Sequence, residues 1–241
     1  VVGPQSYHKL PQMETRVQSG KRALDTDFPE EDKFDHLASR PKAKRGPTAF
    51  LTVQEGCDKF CTFCVVPYTR GAEYSRSIES ILDEAKQLIE SGTKEITLLG
   101  QNVNAYHGLK EHSTRKQEFG LGYLIRRIAE INGLKRLRYI TSHPKDIHDE
   151  VLFVMKKYEN VAKHIHFPAQ SGSTRILEKM NRTYTREWYV NKYNRIKEIL
   201  PECGVSSDII TGFCSETEED HQDTLSLMRE CDFEFSYMYF Y

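Results

Sequence analysis

The chain has 241 residues, enough to bury one sizeable core. Its 34 Lys and Arg residues balance 35 Asp and Glu residues, so the net charge of -1 argues neither for nor against a local basic groove. No apolar run reaches the roughly 20 residues that a bilayer span needs, and the N-terminus lacks the layout of a signal peptide. We therefore predict a cytoplasmic protein without a membrane partner.

Residues 4–48 differ from the rest of the chain. They are rich in charge and proline and lack a sustained apolar period. This pattern predicts a linker that ends in a basic run at 40–45. A solvated connector and a phosphate-contacting arm are both open interpretations of that run. Because the sequence begins with Val1 rather than Met, we also expect it to be a fragment.

A regular alternation of strand and helix patterns begins at residue 49. The predicted strands are 49–54, 95–100, 137–141, 164–168, 205–211 and 233–241. The predicted helices are 78–89, 121–128, 151–158, 187–200 and 217–231. Ser215 and Glu218 are predicted to form a capping box for the last helix.

Alternation of this kind predicts an α/β fold with parallel strands joined by right-handed crossovers. Six strands with helices outside them predict a partial, TIM-like (β/α)6 barrel. The aromatic segment 233–241 is interpreted as its last strand, buried in the core, rather than as a base-stacking surface. Polar, small or glycine-rich loops follow five of the strands, which predicts one shared site at the carboxyl ends of the strands.

Six cysteines divide into two groups. Cys203, Cys214 and Cys231 are spread singly and are interpreted as core or incidental thiols. The other three, Cys57, Cys61 and Cys64, fall within eight residues, as expected for free thiols in a reducing compartment.

Spacings of four and three residues let the three clustered thiols reach different irons of a cubane cluster and leave the fourth iron open. A structural zinc site would need a fourth Cys or His nearby, and the nearest downstream histidine is His107. Phe60 and Phe63 are predicted to screen the cluster from water. Zinc and a plain cluster of reduced cysteines are the weaker alternatives.

These motifs resemble the radical S-adenosylmethionine superfamily and, within it, the MiaB-type tRNA methylthiotransferases. The resemblance covers about residues 49–241 and is carried by GCDKFCTFCVVPYTRG at 56–71, LLGQNVNAYHG at 98–108, TSHP at 141–144, QSGS at 170–173, MNRTYT at 180–185 and SDIITGF at 207–213. It departs from the family pattern at Cys214 and Ser215, where Pro and Gly are usual, and at Ser77, where Pro is usual.

The resemblance implies a radical-forming methylthiotransferase. Its cofactors would be a 4Fe–4S cluster on Cys57, Cys61 and Cys64 and S-adenosylmethionine, from which a 5'-deoxyadenosyl radical is made. The radical would act at carbon 2 of an isopentenylated adenosine beside the tRNA anticodon. The implied partners are the tRNA anticodon stem-loop and an electron donor such as flavodoxin or ferredoxin.

The resemblance also implies roles for residues at the strand ends. Gly100 and Gln101 match the positions that contact the methionine amino group, and Ser142, Gln170, Ser171 and Asp208 are candidates to hold the rest of the cofactor. Ordinary strand-end hydrogen bonds are the alternative for each. Arg70 and Arg76 are candidates for contact with tRNA phosphate or cofactor. A surface ion pair is the alternative role for each. His107 and His143 are interpreted as polar loop residues.

The domain architecture of the family implies that this chain has two parts. Residues 1–48 would be the tail of an N-terminal methylthiotransferase domain and a linker, and 49–241 the radical barrel core. A second 4Fe–4S cluster and a C-terminal RNA-binding domain belong to the family, and we expect neither the ligands of that cluster nor that domain in this chain. The alternative functions are methylthiolation of threonylcarbamoyl-adenosine in tRNA or of a ribosomal protein, a non-catalytic cluster- or zinc-bearing RNA-binding module, and electron transfer.

Overall fold

The computed structural model describes residues 1–26, 46–109 and 118–241. The predicted basic run at 40–45 lies outside these residues. The strands of the described part are β1 (Thr48–Thr52), β2 (Gln54–Glu55), β3 (Tyr74–Ser75), β4 (Glu95–Leu99), β5 (His107–Leu109), β6 (Glu118–Gly120), β7 (Arg136–Tyr139), β8 (His164–His166), β9 (Gly204–Thr211) and β10 (Phe235–Phe240). The α-helices are α1 (Leu10–Gln18), α2 (Val66–Arg70), α3 (Ile78–Glu90), α4 (Leu121–Ala129), α5 (Asp149–Lys157), α6 (Thr174–Lys179), α7 (Arg186–Ile199) and α8 (Glu218–Cys231).

Six parallel strands run side by side in chain order. β1, β4 and β7 form one parallel sheet, and β8, β9 and β10 form a second. A parallel bridge between Leu137 and Val161 joins them, with the Leu137 amide donating to the Asn160 carbonyl at 2.8 Å. Among the described residues β1 and β10 do not pair, so the barrel is open. The six predicted strands are confirmed with boundaries that differ by at most two residues.

Apolar helix faces cover one side of this sheet. Ser77 begins α3 by accepting a hydrogen bond from the Ser80 amide at 3.3 Å, so serine replaces the usual proline with a working N-cap. Leu51 and Leu98, in register on β1 and β4, are fully buried beneath the helices. The alternating residues on the opposite side of the strands therefore face the interior of the open barrel.

Polar pairs line that interior. Arg138 donates to Glu95 across β7 and β4 at 2.9 Å, and His166 lies 3.1 Å from Asp208 across β8 and β9. Polar residues in the interior of an open barrel leave room for a polar ligand, whereas a closed small barrel fills with branched apolar side chains.

Three short helices were not predicted. α1 buries only Met13, so its sequence has no apolar period from which a helix can be recognised. α2 and α6 are five and six residues long, too short to show a repeating pattern. All five predicted helices are confirmed.

The predicted capping box is wrong in position. Thr217, not Ser215, caps α8: its hydroxyl accepts from the Asp220 amide at 3.3 Å, and the Asp220 carboxylate accepts from the Thr217 amide at 2.9 Å. Glu216 instead accepts from the amides of Gly212 and Phe213, which closes the turn after β9 and moves the helix start two residues onward.

The predicted burial of the last strand is also wrong. β10 pairs with β9, but Tyr237 is 55% exposed and Phe240 is 96% exposed. The reason is that β10 is an edge strand, and in the described part of the chain nothing pairs with its outer edge. Pairing on one side forms a strand without burying its side chains.

Candidate active site

Three thiols lie on the loop that follows β2, at the carboxyl end of the first barrel strand. This loop, residues 56–64, is called the cluster loop below. Cys57, Cys61 and Cys64 are free, Cys61 is buried, and the Cys64 amide donates to the Cys61 carbonyl at 2.9 Å. Gly56 opens the loop with φ +80°, and a Cβ there would lie 2.0 Å from the Ala72 carbonyl oxygen. Only glycine fits this entrance.

A buried glutamine ties the cluster loop to the loop after β4. The Gln54 side chain donates to the Gly56 carbonyl at 2.6 Å and accepts from the amides of Gln101 and Asn102 at 2.9 and 3.1 Å. The Gln101 side chain returns the contact by accepting from the Gly56 amide at 2.7 Å. Gly100 is in close contact with Gln54: a Cβ would lie 2.5 Å from Oε1. The small residue at position 100 therefore permits this reciprocal pairing.

The loop after β7 supports the cluster loop from another side. Lys59 lies 2.8 Å from the carboxylate of Asp146, which also accepts from the Asn102 side chain at 2.6 Å. Asn102 in turn accepts from the His143 amide at 3.0 Å. Loops after three successive strands are thereby held in one polar network, as the shared rim of a single site requires.

The segment 179–184, called the clasp segment below, closes over the cluster loop from the far half of the sheet. Thr62 donates from its amide to the Met180 carbonyl at 3.1 Å, and Asn181 donates from its side chain to the Phe60 carbonyl at 3.1 Å. Arg182 donates to Cys61 Sγ at 3.3 Å. Asn181 has φ +56°, a left-handed conformation that asparagine tolerates better than most residues. The clasp segment thus fixes the backbone and one thiol sulfur of the loop.

Two aromatic residues of the cluster loop differ in burial. Phe63 packs against a small apolar cluster that includes Ile176, Met180 and Phe213, and so covers one side of the loop. Phe60 is 51% exposed and meets Tyr68 edge-on at 6.2 Å. Screening by Phe63 stays a prediction, while the exposure of Phe60, whose left-handed backbone turns the ring outward, gives no support to screening by that residue.

Electrostatics in the site depend on burial. Burial raises the pKa of the Cys57 thiol, and the neighbouring Cys61, Glu73 and Cys64 raise it further. Burial also raises the pKa of Glu73 to about 7, with His107 opposing the shift. His143 is neutral at physiological pH because burial, together with Arg182 and two lysines, lowers its pKa to about 2. Thiols that repel one another as thiolates favour a cationic iron core between them.

The remaining predicted cofactor residues fall into two groups. Ser142 is 6% exposed, and its hydroxyl has no hydrogen-bond partner among the described residues, while Asp208 lies in the barrel interior beside His166. Gln170 continues the rim with φ +70°. Ser171 instead lies 3.2 Å from Thr224 of α8, so its hydroxyl serves helix packing.

The two predicted arginines differ in accessibility. The Arg70 side chain is 40% exposed and lies 3.4 Å from Glu55. Arg76 is 5% exposed, donates to the Thr52 carbonyl at 2.7 Å and pairs with Glu84 at 2.8 Å. The guanidinium of Arg76 therefore holds α3 against β1, and its burial gives no support to a contact with tRNA phosphate.

The structure also shows where His107 and the three isolated cysteines lie. His107 lies on β5, 3.3 Å from Glu73. Cys203 and Cys231 are buried far along the chain in the core, where burial raises their pKa values to about 11 and about 12, and Cys214 is exposed. These three thiols sit on separate elements, in keeping with isolated cysteines.

The cluster loop offers three thiols, one short of the four ligands that a structural zinc site takes. Zinc thiolates converge within about 4 Å of one another because each lies about 2.3 Å from one ion. No three His, Cys, Asp or Glu side chains in the described ranges are placed to hold one ion. Three free thiols on one loop, with a buried cation directed at one of them, suit the wider, anionic cubane.

Parallel strands with three thiols at their carboxyl ends define a class of cluster-bearing α/β proteins. Residues 51–228 match the family model described as the Radical SAM superfamily. The chain belongs to the radical S-adenosylmethionine superfamily, and its cofactors are accordingly a 4Fe–4S cluster and S-adenosylmethionine.

Curated relatives narrow the comparison. The chain is 53% identical over 241 residues to a tRNA-2-methylthio-N(6)-dimethylallyladenosine synthase of Ruegeria sp. (strain TM1040), covering 100% of the chain and 54% of the relative. It is 52% identical to a protein of the same name from Jannaschia sp. (strain CCS1), covering 100% of the chain and 51% of the relative. The chain thus spans about half the length of the curated relatives it matches.

Solved structures share the fold at low identity. A radical S-adenosylmethionine methyltransferase, TsrM, from Kitasatospora setae matches with a TM-score of 0.66 and 14% identity over 98% of this chain and 50% of that one. Methylornithine synthase matches with a TM-score of 0.51 and 16% identity over 95% of this chain and 67% of that one. The predicted radical-type α/β fold is confirmed.

Sequence reasoning did not identify three residues of the site. Gln54 is the last residue of the predicted strand 49–54, with no motif to mark it, so nothing short of the fold indicates its role. Asn181 and Arg182 lie inside the MNRTYT motif, which by itself indicates only the family. Their placement against the cluster loop explains physically why polar residues occupy that turn.

Proposed function

We propose that the protein to which this chain belongs is a tRNA methylthiotransferase that acts at carbon 2 of an isopentenylated adenosine beside the anticodon. The observation that carries this proposal is the 52–54% identity along the chain to relatives named for that reaction. Enzymes acting on threonylcarbamoyl-adenosine or on a ribosomal protein remain the weaker alternatives.

Cys57, Cys61 and Cys64 are proposed to hold the cluster. With S-adenosylmethionine and one electron from the donor, it would supply a 5'-deoxyadenosyl radical. Gly100 and Gln101 would border the cofactor site beside the cluster loop, and Ser142 offers a buried hydroxyl without a partner among the described residues for a polar group of the cofactor. The chain's contribution is position and exclusion of water.

Two more residues extend this site along the rim. Gln170, in the loop after β8, and Asp208, within β9, are proposed to contact ribose or adenine. Ser171 remains a weaker candidate because its hydroxyl already contacts Thr224. Arg70, half exposed beside the cluster loop, is proposed to meet tRNA phosphate, and Arg76 is the weaker candidate because it is buried.

The proposed function also implies the domains, partners and cellular location of the protein. We propose residues 1–48 as the tail of a methylthiotransferase domain and linker, and 49–241 as the radical core. A second cluster, a flavodoxin- or ferredoxin-like donor and a tRNA anticodon stem-loop complete the proposed reaction. We place the protein in the cytoplasm, where tRNA is modified. No helix in the described ranges is long and apolar enough to cross a membrane.

Two measurements test this function at different levels. The anaerobically reconstituted chain, reduced in the presence of S-adenosylmethionine, is expected to form 5'-deoxyadenosine, and Cys57→Ala is expected to form none. Mass spectrometry of tRNA nucleosides from a deletion strain is expected to show loss of the methylthio group from isopentenylated adenosine. Zinc in place of iron would instead support a non-catalytic RNA-binding module.

A further inference from the structure

Arg182 of the clasp segment is a buried cation directed at a ligand sulfur. It is 4% exposed, and each arm of its guanidinium has a partner. Nη1 donates to Cys61 Sγ at 3.3 Å, Nη2 donates to the Pro168 carbonyl at 3.0 Å, and Nε donates to the Tyr184 hydroxyl at 2.9 Å. Three bonds in different directions leave the guanidinium a single orientation.

The charge balance around Arg182 is the second observation. In the described part of the chain, no carboxylate lies within ion-pair distance of its guanidinium. A buried arginine stays charged, and an uncompensated buried charge is strongly destabilising. Cys61 is the partner that can carry a negative charge, because Pro168 and Tyr184 offer neutral oxygens. The guanidinium is therefore placed to neutralise an anion on the Cys61 side of the loop.

We propose that Arg182 is a positioning residue that donates a charge-assisted hydrogen bond to the Cys61 sulfur and raises the reduction potential of the cluster. The proposal rests on the function proposed above, since it needs a cluster on Cys57, Cys61 and Cys64. A cubane bound by three thiolates is anionic, and its negative charge increases when it takes an electron from a low-potential one-electron donor. Hydrogen bonds to the sulfurs and buried positive charge both favour the reduced state.

The rest of the clasp segment gives the arginine its geometry. The Tyr184 hydroxyl, which accepts from Nε, lies 3.2 Å from the carbonyl oxygens of Pro168 and Ala169 at the end of β8. Asn181 simultaneously holds the backbone of the cluster loop through the Lys59 and Phe60 carbonyls. Sulfur and guanidinium are thus fixed independently, so their contact does not depend on a mobile side chain.

The test is a redox titration of the reconstituted protein under anaerobic conditions, followed by the electron paramagnetic resonance signal of the reduced cluster. Arg182→Met is expected to shift the reduction potential to a more negative value. Arg182→Lys keeps the positive charge but lacks the forked guanidinium, so its potential is expected to lie between those of Arg182→Met and the unmodified protein. Arg126→Met, on the exposed face of α4, is the matched control and is expected to leave the potential unchanged.

Several outcomes decide the question. An Arg182→Met protein with full iron content and an unchanged or more positive potential overturns the proposal. If both Arg182 variants hold no iron while their iron-free circular dichroism and melting match the unmodified chain, the need for the guanidinium hydrogen bond to the Cys61 sulfur is supported. Loss of the iron-free fold in both variants would assign Arg182 a structural role and overturn it. Absence of iron in the unmodified protein would instead overturn the proposed function.

Discussion

Individual side chains around the cluster loop have roles that are set by what they touch. Cys61 is buried beneath Arg182, Gly56 enters the loop where a Cβ would overlap backbone, and Gly100 admits the Gln54 side chain. Each of these positions allows few substitutions for a steric or electrostatic reason. Two predictions follow from them at this scale.

Replacing any one of Cys57, Cys61 and Cys64 with alanine is expected to abolish stable iron binding, because a cubane with two protein thiolates loses an anchor. Iron and sulfide analysis and the visible absorption of the reconstituted chain measure this. Cys214→Ala, at an exposed thiol, is the control and is expected to bind iron normally. Full iron retention in a triad variant would contradict the ligand assignment.

Gly100→Ala is expected to lower the free energy of unfolding by about 1–3 kcal/mol, the cost typical of overpacking. The added Cβ would lie 2.5 Å from Gln54 Oε1 and 3.0 Å from its carbonyl oxygen, so the reciprocal glutamine pair must separate. Urea unfolding measures the change. Gly46→Ala, whose Cβ would meet nothing within 4 Å, is the control. Equal stabilities for the two variants would show that Gln54 accommodates the added methyl group without any loss of stability.

Among the elements, α8 has the most elaborate start. Thr217 and Asp220 form the capping box, Asp220 pairs with Arg175 of α6, and it accepts from the Ser173 hydroxyl at 2.6 Å. The element is thus joined at its first turn to the loop that follows β8. Because that loop also carries Gln170, the cap of α8 indirectly positions part of the rim.

Asp220→Asn is expected to destabilise the chain at neutral pH and to lose its effect in acid. Hydrogen bonds from Arg175, and then from Ser173 and Thr217, hold the pKa of Asp220 well below its usual range. A pKa lower in the folded state stabilises the fold above the unfolded value of about 3.9, and this contribution disappears as the pH falls through the folded value.

Urea unfolding of both proteins between about pH 7 and pH 3 tests this, with the difference in unfolding free energy expected to shrink on the acid side. Glu218→Gln removes a charge from the same helical turn without breaking the capping box, since Glu218 contacts Gln222 rather than Thr217 or Asp220, and serves as the control. A difference that stays constant across the range would mean that packing, not the charged bond, accounts for the effect.

At the scale of the whole molecule, the cluster loop bridges two halves of the sheet. The loop comes after β1 and β2 and before α2, while the clasp segment that holds it comes after β8, at the end of α6. A ligand bound at such a junction stabilises the native state alone, since the unfolded chain has no assembled site. The cluster should therefore contribute to the stability of the entire sheet.

Removing iron with a chelator under anaerobic conditions is expected to lower the melting temperature by at least about 2–4 °C, the shift that about 1 kcal/mol produces in a chain of this size. Hydrogen exchange should increase mainly in residues 56–71 and 179–184. Cys61→Ser, treated in the same way, is expected to show no shift. Faster exchange confined to residues far from the loop would contradict the bridging role.

Much of the fold and the cysteine triad could be predicted because their signals are local. A strand or helix shows its period within about ten residues, and the triad lies within eight, so neither needs knowledge of distant chain. The same reasoning failed where the local pattern carries no signal. α1 buries a single residue, and the exposure of β10 depends on what covers it rather than on its own alternation.

Local sequence is enough to predict a parallel α/β protein with three cysteines at a strand end, because periodicity and spacing are properties of short segments. Which side chains complete the site follows instead from the way the chain folds. Arg182 meets Cys61 across 121 positions, Gln54 meets Gln101 across 47, and Arg76 is withdrawn into an internal ion pair. Contacts of this range arise from the order of the strands and the packing of helices upon them, which no local window contains.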